Sequence, residues 1–193
     1  YAEHLRGNMD YLGGDKTQST YSLIYLDEDD IPEIFISTGI CAQGEFVLTY
    51  NNGKVEICRL DRLGSEYIER SGLIYTDTGH MGYYPVSITK LENGVFSEIA
   101  SGAYTESEKY YAPDGSEIDY LDYLEWDEEA TGGEPYSEIS FSWEWMGEQV
   151  TQEEYDTRIE DLFDISAGKY PVSDDECYLY ERIVEVVENG DYL

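Results

Sequence analysis

Asp27-Glu28-Asp29-Asp30-Ile31-Pro32-Glu33 places five carboxylates within seven residues. Carboxylates this crowded repel one another unless water or a cation lies between them, and hard oxygen donors on a turn suit Ca²⁺. Asp27, Asp29, Asp30 and Glu33 are therefore the candidate metal ligands, with calcium as the candidate cofactor. The spacing is not that of an EF-hand: counted from Asp27, the glycine position holds Pro32, the fifth position Ile31 and the twelfth Thr38. The plainer reading is a solvated acidic connector between two strands. His80 stands in Thr78-Gly79-His80-Met81-Gly82, a glycine-flanked loop from which an imidazole can reach a ligand. Tyr83-Tyr84 and Tyr110-Tyr111 put neighbouring rings on opposite faces of a strand, leaving one ring of each pair to meet a glycan or a protein partner. His80, Tyr84 and Tyr111 are accordingly the candidate ligand-binding residues, although tyrosine also fills half-buried strand positions well.

Catalytic arrangements are otherwise missing from the sequence. It contains no Gly-x-Ser-x-Gly elbow, no His-Glu-x-x-His, no Walker loop and no dinucleotide fingerprint. Only His4 and His80 are histidines, and with 43 acidic residues any carboxylate pair chosen for glycoside hydrolysis would be arbitrary. Cys41, Cys58 and Cys177 are odd in number and lack Cys-x-x-Cys spacing, which points to neither a zinc site nor a disulfide framework. A hairpin turning at Asn52-Gly53 sets Cys58 opposite Val47, not Cys41, so buried free thiols are expected.

The elements that position these residues read as an antiparallel meander. Tyr21 to Leu26 and Ile34-Phe35-Ile36 flank the acidic turn. Asn52-Gly53 and Asn93-Gly94 mark two tight hairpins, and Asp114-Gly115 marks a third. Short strands are predicted at Glu66-Tyr67-Ile68 and Leu73-Ile74-Tyr75. Residues 122–135 read as an exposed loop. In the strand that follows, Ile139, Phe141, Trp143 and Trp145 share one face, and a period-2 aromatic face of this kind is expected to be core rather than a sugar platform. The last third is helical. Thr151 with Glu154 is a capping box ahead of Tyr155, Ile159 and Leu162. Ser173 with Glu176 is a second one ahead of Leu179, Ile183, Val186 and Val187, and Gly190 is placed to end that helix.

The predicted fold is thus a single α+β domain over residues 1–193. An antiparallel β meander at about 20–145 forms a sheet, a sandwich or a partly closed barrel, with a short N-terminal helix and two C-terminal helices (about 151–190) packed on it. The 193 residues carry 43 acids and 11 bases, a formal charge of −32. Residues 1–100 hold 16 acids and seven bases, and 101–193 hold 27 and four. This excess repels phosphate and excludes nucleic acid as a partner. A hydrophobic content of 41% with 20 tyrosines is too high for a disordered acidic tail. No apolar run approaches the roughly 18 residues of a membrane span. The sequence opens at Tyr1 inside a helical pattern, so a trimmed leader, with a possible lipid anchor, is expected upstream.

The stretch from Ser22 to Ile36 resembles a segment of uncharacterised exported proteins and lipoproteins of gut Firmicutes, in which a strand, an Asp-rich turn, a Pro-Glu and a second strand recur. Tyr67 to Gly72, Thr78 to Gly82, the hairpin at Asn93-Gly94 and Trp145 to Tyr155 are similar as well, so the resemblance spans about residues 20–160. The turn also resembles the calcium loop of FG-GAP-type propeller blades. There Tyr25 stands in place of the first Asp, and Glu28 and Asp30 replace the two glycines. The motif occurs once, whereas a propeller repeats it. The resemblance implies an extracellular or cell-surface location, and since no activity is attached to that family it says less about function. The leading expectation is a non-catalytic binding or interaction module. An acidic inhibitor or immunity-type protein that blocks a basic partner is the alternative, and an unrecognised hydrolase is third.

Overall fold

The computed structural model describes residues 1–193 except 8, 14, 128–131, 172–176 and 193. Asn52 and Gly53 (φ 50° and 87°) close one hairpin, and Asn93 and Gly94 (φ 54° and 74°) close another. Both central residues take positive φ, which is the geometry that matches strand twist. The meander divides after its fourth strand. β1 (Thr20–Ile24), β2 (Glu33–Ser37), β3 (Glu45–Asn51) and β4 (Lys54–Leu60) form one sheet in chain order. The second sheet takes β5 (Glu66–Ile68), β6 (Leu73–Asp77), β7 (Tyr83–Glu92), β8 (Val95–Tyr111), β9 (Glu117–Ile118), β10 (Tyr136–Trp145) and β11 (Glu148–Val150). Its order is β11-β10-β8-β7-β6-β5, with β9 on β8. All pairings are antiparallel, Cys58 lies opposite Val47, and neither sheet closes into a barrel.

Strand alternation sorts the apolar residues into three layers. Tyr21, Ile34, Ile36, Phe46 and Leu48 face α1 (Ala2–Arg6) and the C-terminal helix (Tyr180–Asn189), which contribute Leu5, Ile183, Val184 and Val187. The opposite face of that sheet meets the second sheet through Ile24, Leu26, Phe35, Val47, Leu60, Ile74 and Leu91. On the far side of the second sheet, Tyr75, Val86, Ile88, Ala100 and Trp145 are covered by Tyr155 and Ile159 of the helix Gln152–Leu162 and by Phe163. With α2 (Tyr120–Leu124) resting its tyrosines on Tyr110, the two C-terminal helices are α3 (Gln152–Leu162) and α4 (Tyr180–Asn189). They cover different sheets.

The capping box at α3 forms as expected: the Glu154 N–H donates to Thr151 Oγ1 at 3.2 Å, and the Thr151 N–H donates to Glu154 Oε2 at 2.9 Å. The stripe differs at its end. Leu162 stays 39% exposed, and Phe163, in extended backbone just past the helix, turns its ring inward instead. α4 starts at Tyr180 with Leu179 as an exposed cap residue, and Gly190 ends it in the left-handed conformation (φ 71°). The expected capping pair Ser173 and Glu176 lies outside the described residues. The cysteines are free, but Cys41 is exposed and Cys58 and Cys177 are half-buried, so the expectation of buried thiols fails.

The largest departure concerns β10. Its aromatic alternation is real, yet only Trp145 is core (5% exposed), while Phe141 is 49% and Ile139 55% exposed. Periodicity decides which side a residue faces; burial needs a second layer over that side. β8 runs past the start of β7, whose last pairing is Tyr83 with Thr105. Beyond that point the Glu106 N–H still donates to the Gly82 carbonyl, and among the described residues β8 then pairs with β9 and β10 as an arm that carries α2 on Tyr110 and leaves most of β10 exposed. No helix among the described residues is long and apolar enough to cross a membrane.

Gly102 sits where α3 meets the sheet. A Cβ there would come within 2.7 Å of the Trp145 ring, 2.8 Å of the Glu144 carbonyl and 2.9 Å of the Tyr155 ring. Gly102→Ala should therefore overpack this contact and cost about 1–3 kcal/mol, seen as a lower Tm. An unchanged Tm would show that α3 is not seated through this patch.

Candidate functional site

The acidic turn is held by its own backbone and by one cation. Asp27 Oδ1 accepts the Asp29 N–H at 3.0 Å, and Asp29 Oδ1 accepts the Ile31 N–H at 2.7 Å. These are side-chain turns of the kind aspartate favours. Arg70 Nη1 donates to the Glu28 and Asp29 carbonyls at 3.3 Å each, and Nη2 lies 3.5 Å from Asp30. The guanidinium also stands over the Tyr25 ring at 5.0 Å. Glu33, expected as a fourth ligand, is elsewhere. As the first residue of β2 its alternation directs it between the sheets, where it is 1% exposed. The Leu26 N–H donates to its Oε2 at 3.0 Å, and the Thr49 hydroxyl donates to its Oε1 at 3.0 Å. Among the described residues, no three His, Cys, Asp or Glu side chains gather in a metal-holding group.

The three residues expected to bind ligand do not converge. His80 is exposed and exchanges backbone hydrogen bonds with Tyr83. The Tyr84 ring stacks on Tyr104 (4.4 Å between centroids, 10° between planes), with Gly79 packed so closely behind it that no Cβ would fit. Tyr111 lies seven residues further along β8, roughly 23 Å away at strand rise, stacked on Tyr136.

The residues that do converge form a cleft of about 400 Å³ between α3 and the seven-stranded sheet. The register builds it. Asp77 pairs with Val86, Val86 with Gly102 and Tyr104 with Trp143, so Tyr75, Asp77, Val86, Tyr104, Trp143 and Phe141 all face α3. From α3, Tyr155 and Ile159 descend onto the sheet, and Gln152 and Asp156, one turn apart, line the same opening. The walls are aromatic. Among the described residues, the charges of the lining are the two carboxylates of Asp77 and Asp156, with no Lys, Arg or His.

Two groups in this cleft are electrostatically unusual. Asp77 reaches solvent at the cleft mouth, yet the walls desolvate it enough to raise its pKa, and it makes no hydrogen bond or ion pair with a described residue. Tyr155 is 3% exposed, and its hydroxyl has no hydrogen-bond partner among the described residues. Burial, and then the nearby Asp77 charge, raise its pKa and keep the phenol neutral. A buried polar group without a partner costs about 1–3 kcal/mol, so its retention needs a reason. Sequence reasoning missed this site. Phe141 and Trp143 carried a signal, read as core, whereas nothing local to Asp77 or Tyr155 marks either as unpaired. Comparison of the chain with protein families, characterised proteins and solved structures gives no match.

Burial pushes the Glu33 carboxyl up to about 7 from its ordinary 4.5, against the opposing pull of the Leu26 N–H and the Thr49 hydroxyl. The folded protein therefore holds this proton more tightly than the unfolded chain. The associated stability is complete below the ordinary value and is lost as pH rises through about 7. Relative to Glu33→Gln, the wild type should lose on the order of 3 kcal/mol between pH 4.5 and 8. Tm measured for both across this range checks it, and parallel curves would refute it.

Proposed function

We propose that this chain is a non-catalytic binding module whose ligand site is the cleft between α3 and the seven-stranded sheet, carried by an exported or cell-surface protein. The observation that carries the reading is an aromatic cleft that holds the unpaired Asp77 carboxylate and is lined by Tyr155, whose hydroxyl is closed off from solvent and has no hydrogen-bond partner among the described residues. A ligand that completes this hydrogen bond turns a cost of the free state into affinity. Binding is favoured over catalysis because, among the described residues, the lining holds no Ser, Thr, Cys, Lys or His for the Asp77 or Asp156 carboxylate to act on or with, and His80 is outside it. The export part of the reading is supported by the sequence resemblance around the acidic turn. A calcium ion at that turn is not required, since Arg70 already stands among its carbonyls and carboxylates.

The arm favours a second reading, an acidic protein that blocks a basic partner. Residues 104–141 carry twelve carboxylates against Lys109 alone. Tyr120, Leu121, Leu124, Tyr136 and Ile139 are exposed there, each by 41% or more. Aromatic side chains within a charged surface suit a protein interface.

The two readings separate in one experiment. Fragment-sized probes screened by ¹H–¹⁵N NMR should shift the signals of Asp77, Tyr104, Trp143 and Tyr155 together, and Trp143→Ala should abolish these shifts with the fold intact. Shifts confined to residues 106–125 and 136–139, insensitive to Trp143→Ala but lost at high salt, would overturn the cleft reading in favour of the arm.

A further inference from the structure

The chemistry of the cleft selects among ligands, and the inference that follows rests on the cleft being the ligand site. We infer that it takes an organic cation, a primary ammonium on an apolar body, with the nitrogen at the Asp77 carboxylate, where a shift of the Tyr155 ring on binding brings its buried hydroxyl within reach, and the body against Trp143 and Phe141.

Charge is the first ground. Among the described residues the lining carries two carboxylates and no cation, and Asp77 has neither an ion pair nor a hydrogen bond to any of them. A carboxylate partly removed from water gains most from a cation placed beside it. The chain as a whole carries −32, so its field concentrates cations at the cleft mouth and repels anions.

Hydrogen bonding is the second. The neutral Tyr155 phenol, buried in the free protein, has oxygen lone pairs as well as its proton to offer once its ring shifts, and its hydroxyl has no partner among the described residues. An ammonium group brings three N–H donors, enough to serve that oxygen and the Asp77 carboxylate together. A quaternary ammonium lacks those donors, and a bare metal ion would need several oxygen ligands where the walls offer rings.

The aromatic walls are the third. Tyr104 is fixed by its stack on Tyr84, and Phe141 and Trp143 stand 5.9 Å apart at 33°. Ring faces carry negative electrostatic potential and attract a cation, the more so when it is desolvated. They also bury the apolar body of the ligand. A neutral sugar would use the rings but gain nothing from the unpaired carboxylate's charge.

The test keeps the apolar body constant and varies the terminal group. Phenethylammonium, 2-phenylethanol and phenylacetate are titrated separately at low ionic strength, with the Trp143 indole N–H and the Tyr155 backbone amide as NMR reporters. Phenethylammonium should bind in the millimolar range and about tenfold or more tighter than 2-phenylethanol, while phenylacetate should not bind. Asp77→Asn should weaken phenethylammonium by a similar factor. Glu117→Gln, which removes the same charge from the arm, should leave it unchanged. Equal binding of 2-phenylethanol and phenethylammonium at these reporters would overturn the cation inference while leaving the cleft as a ligand site. Equal weakening by Glu117→Gln and Asp77→Asn would also overturn it, by showing that the cation responds only to net charge. Silence of the reporters to all three probes would overturn both the inference and the cleft reading.

Discussion

The site depends on a bare patch of strand. Gly102 leaves room on β8 for the edges of two rings, Trp145 from β10 and Tyr155 from α3, which meet at 5.7 Å and 88°. That edge-to-face contact seats the first turn of α3 on the sheet. The approach is short and rigid: β10 turns at Met146-Gly147 (φ 51° and 83°) into β11, and the capping box at Thr151 begins the helix one residue after Val150. With the start and the seat of α3 both determined, the positions of Gln152, Tyr155 and Asp156 over the sheet follow.

The strands are longer than the helix that covers them, and the cleft is a product of this mismatch. Along one face of β10 the same alternation yields a core residue at Trp145, cleft walls at Trp143 and Phe141, and an exposed side chain at Ile139. Core, site and arm are thus successive stretches of one strand, separated only by how far α3 reaches. Twelve carboxylates over residues 104–141 keep the arm's open edges from pairing with other strands, because like charges would have to be brought together. The same acidity sets the electrostatic field in which the cleft operates.

What was legible in the sequence was local. The Asn-Gly turns, the register that puts Cys58 opposite Val47, the Thr151–Glu154 box and the glycine end of α4 each depend on a few neighbouring residues, and each formed as read. What was not legible depended on layers brought from far along the chain. Glu33 is adjacent to the acidic turn in sequence, but the first pairing of β2 turns it between the sheets, where Thr49 of β3 receives it. Ile139 looks identical in pattern to Trp145 and differs only in lying beyond the reach of α3, while Phe141 lies at its margin. The cleft is the extreme case. Asp77, Tyr104, Trp143 and Tyr155 span nearly eighty positions, and no spacing among them signals that they share a face.

The central claim is that the Tyr155 hydroxyl serves a ligand and not the fold, and the most direct measurement is the stability of Tyr155→Phe. This change deletes the hydroxyl and keeps the ring that packs on Trp145 and Gly102. If the hydroxyl is unpartnered in the free protein, Tm should stay the same or rise by a few degrees, since a buried unsatisfied polar group is removed, while phenethylammonium binding should weaken. A Tm lowered by the equivalent of about 1–2 kcal/mol, with phenethylammonium binding unchanged, would mean that the hydroxyl holds the structure together, and would contradict the account.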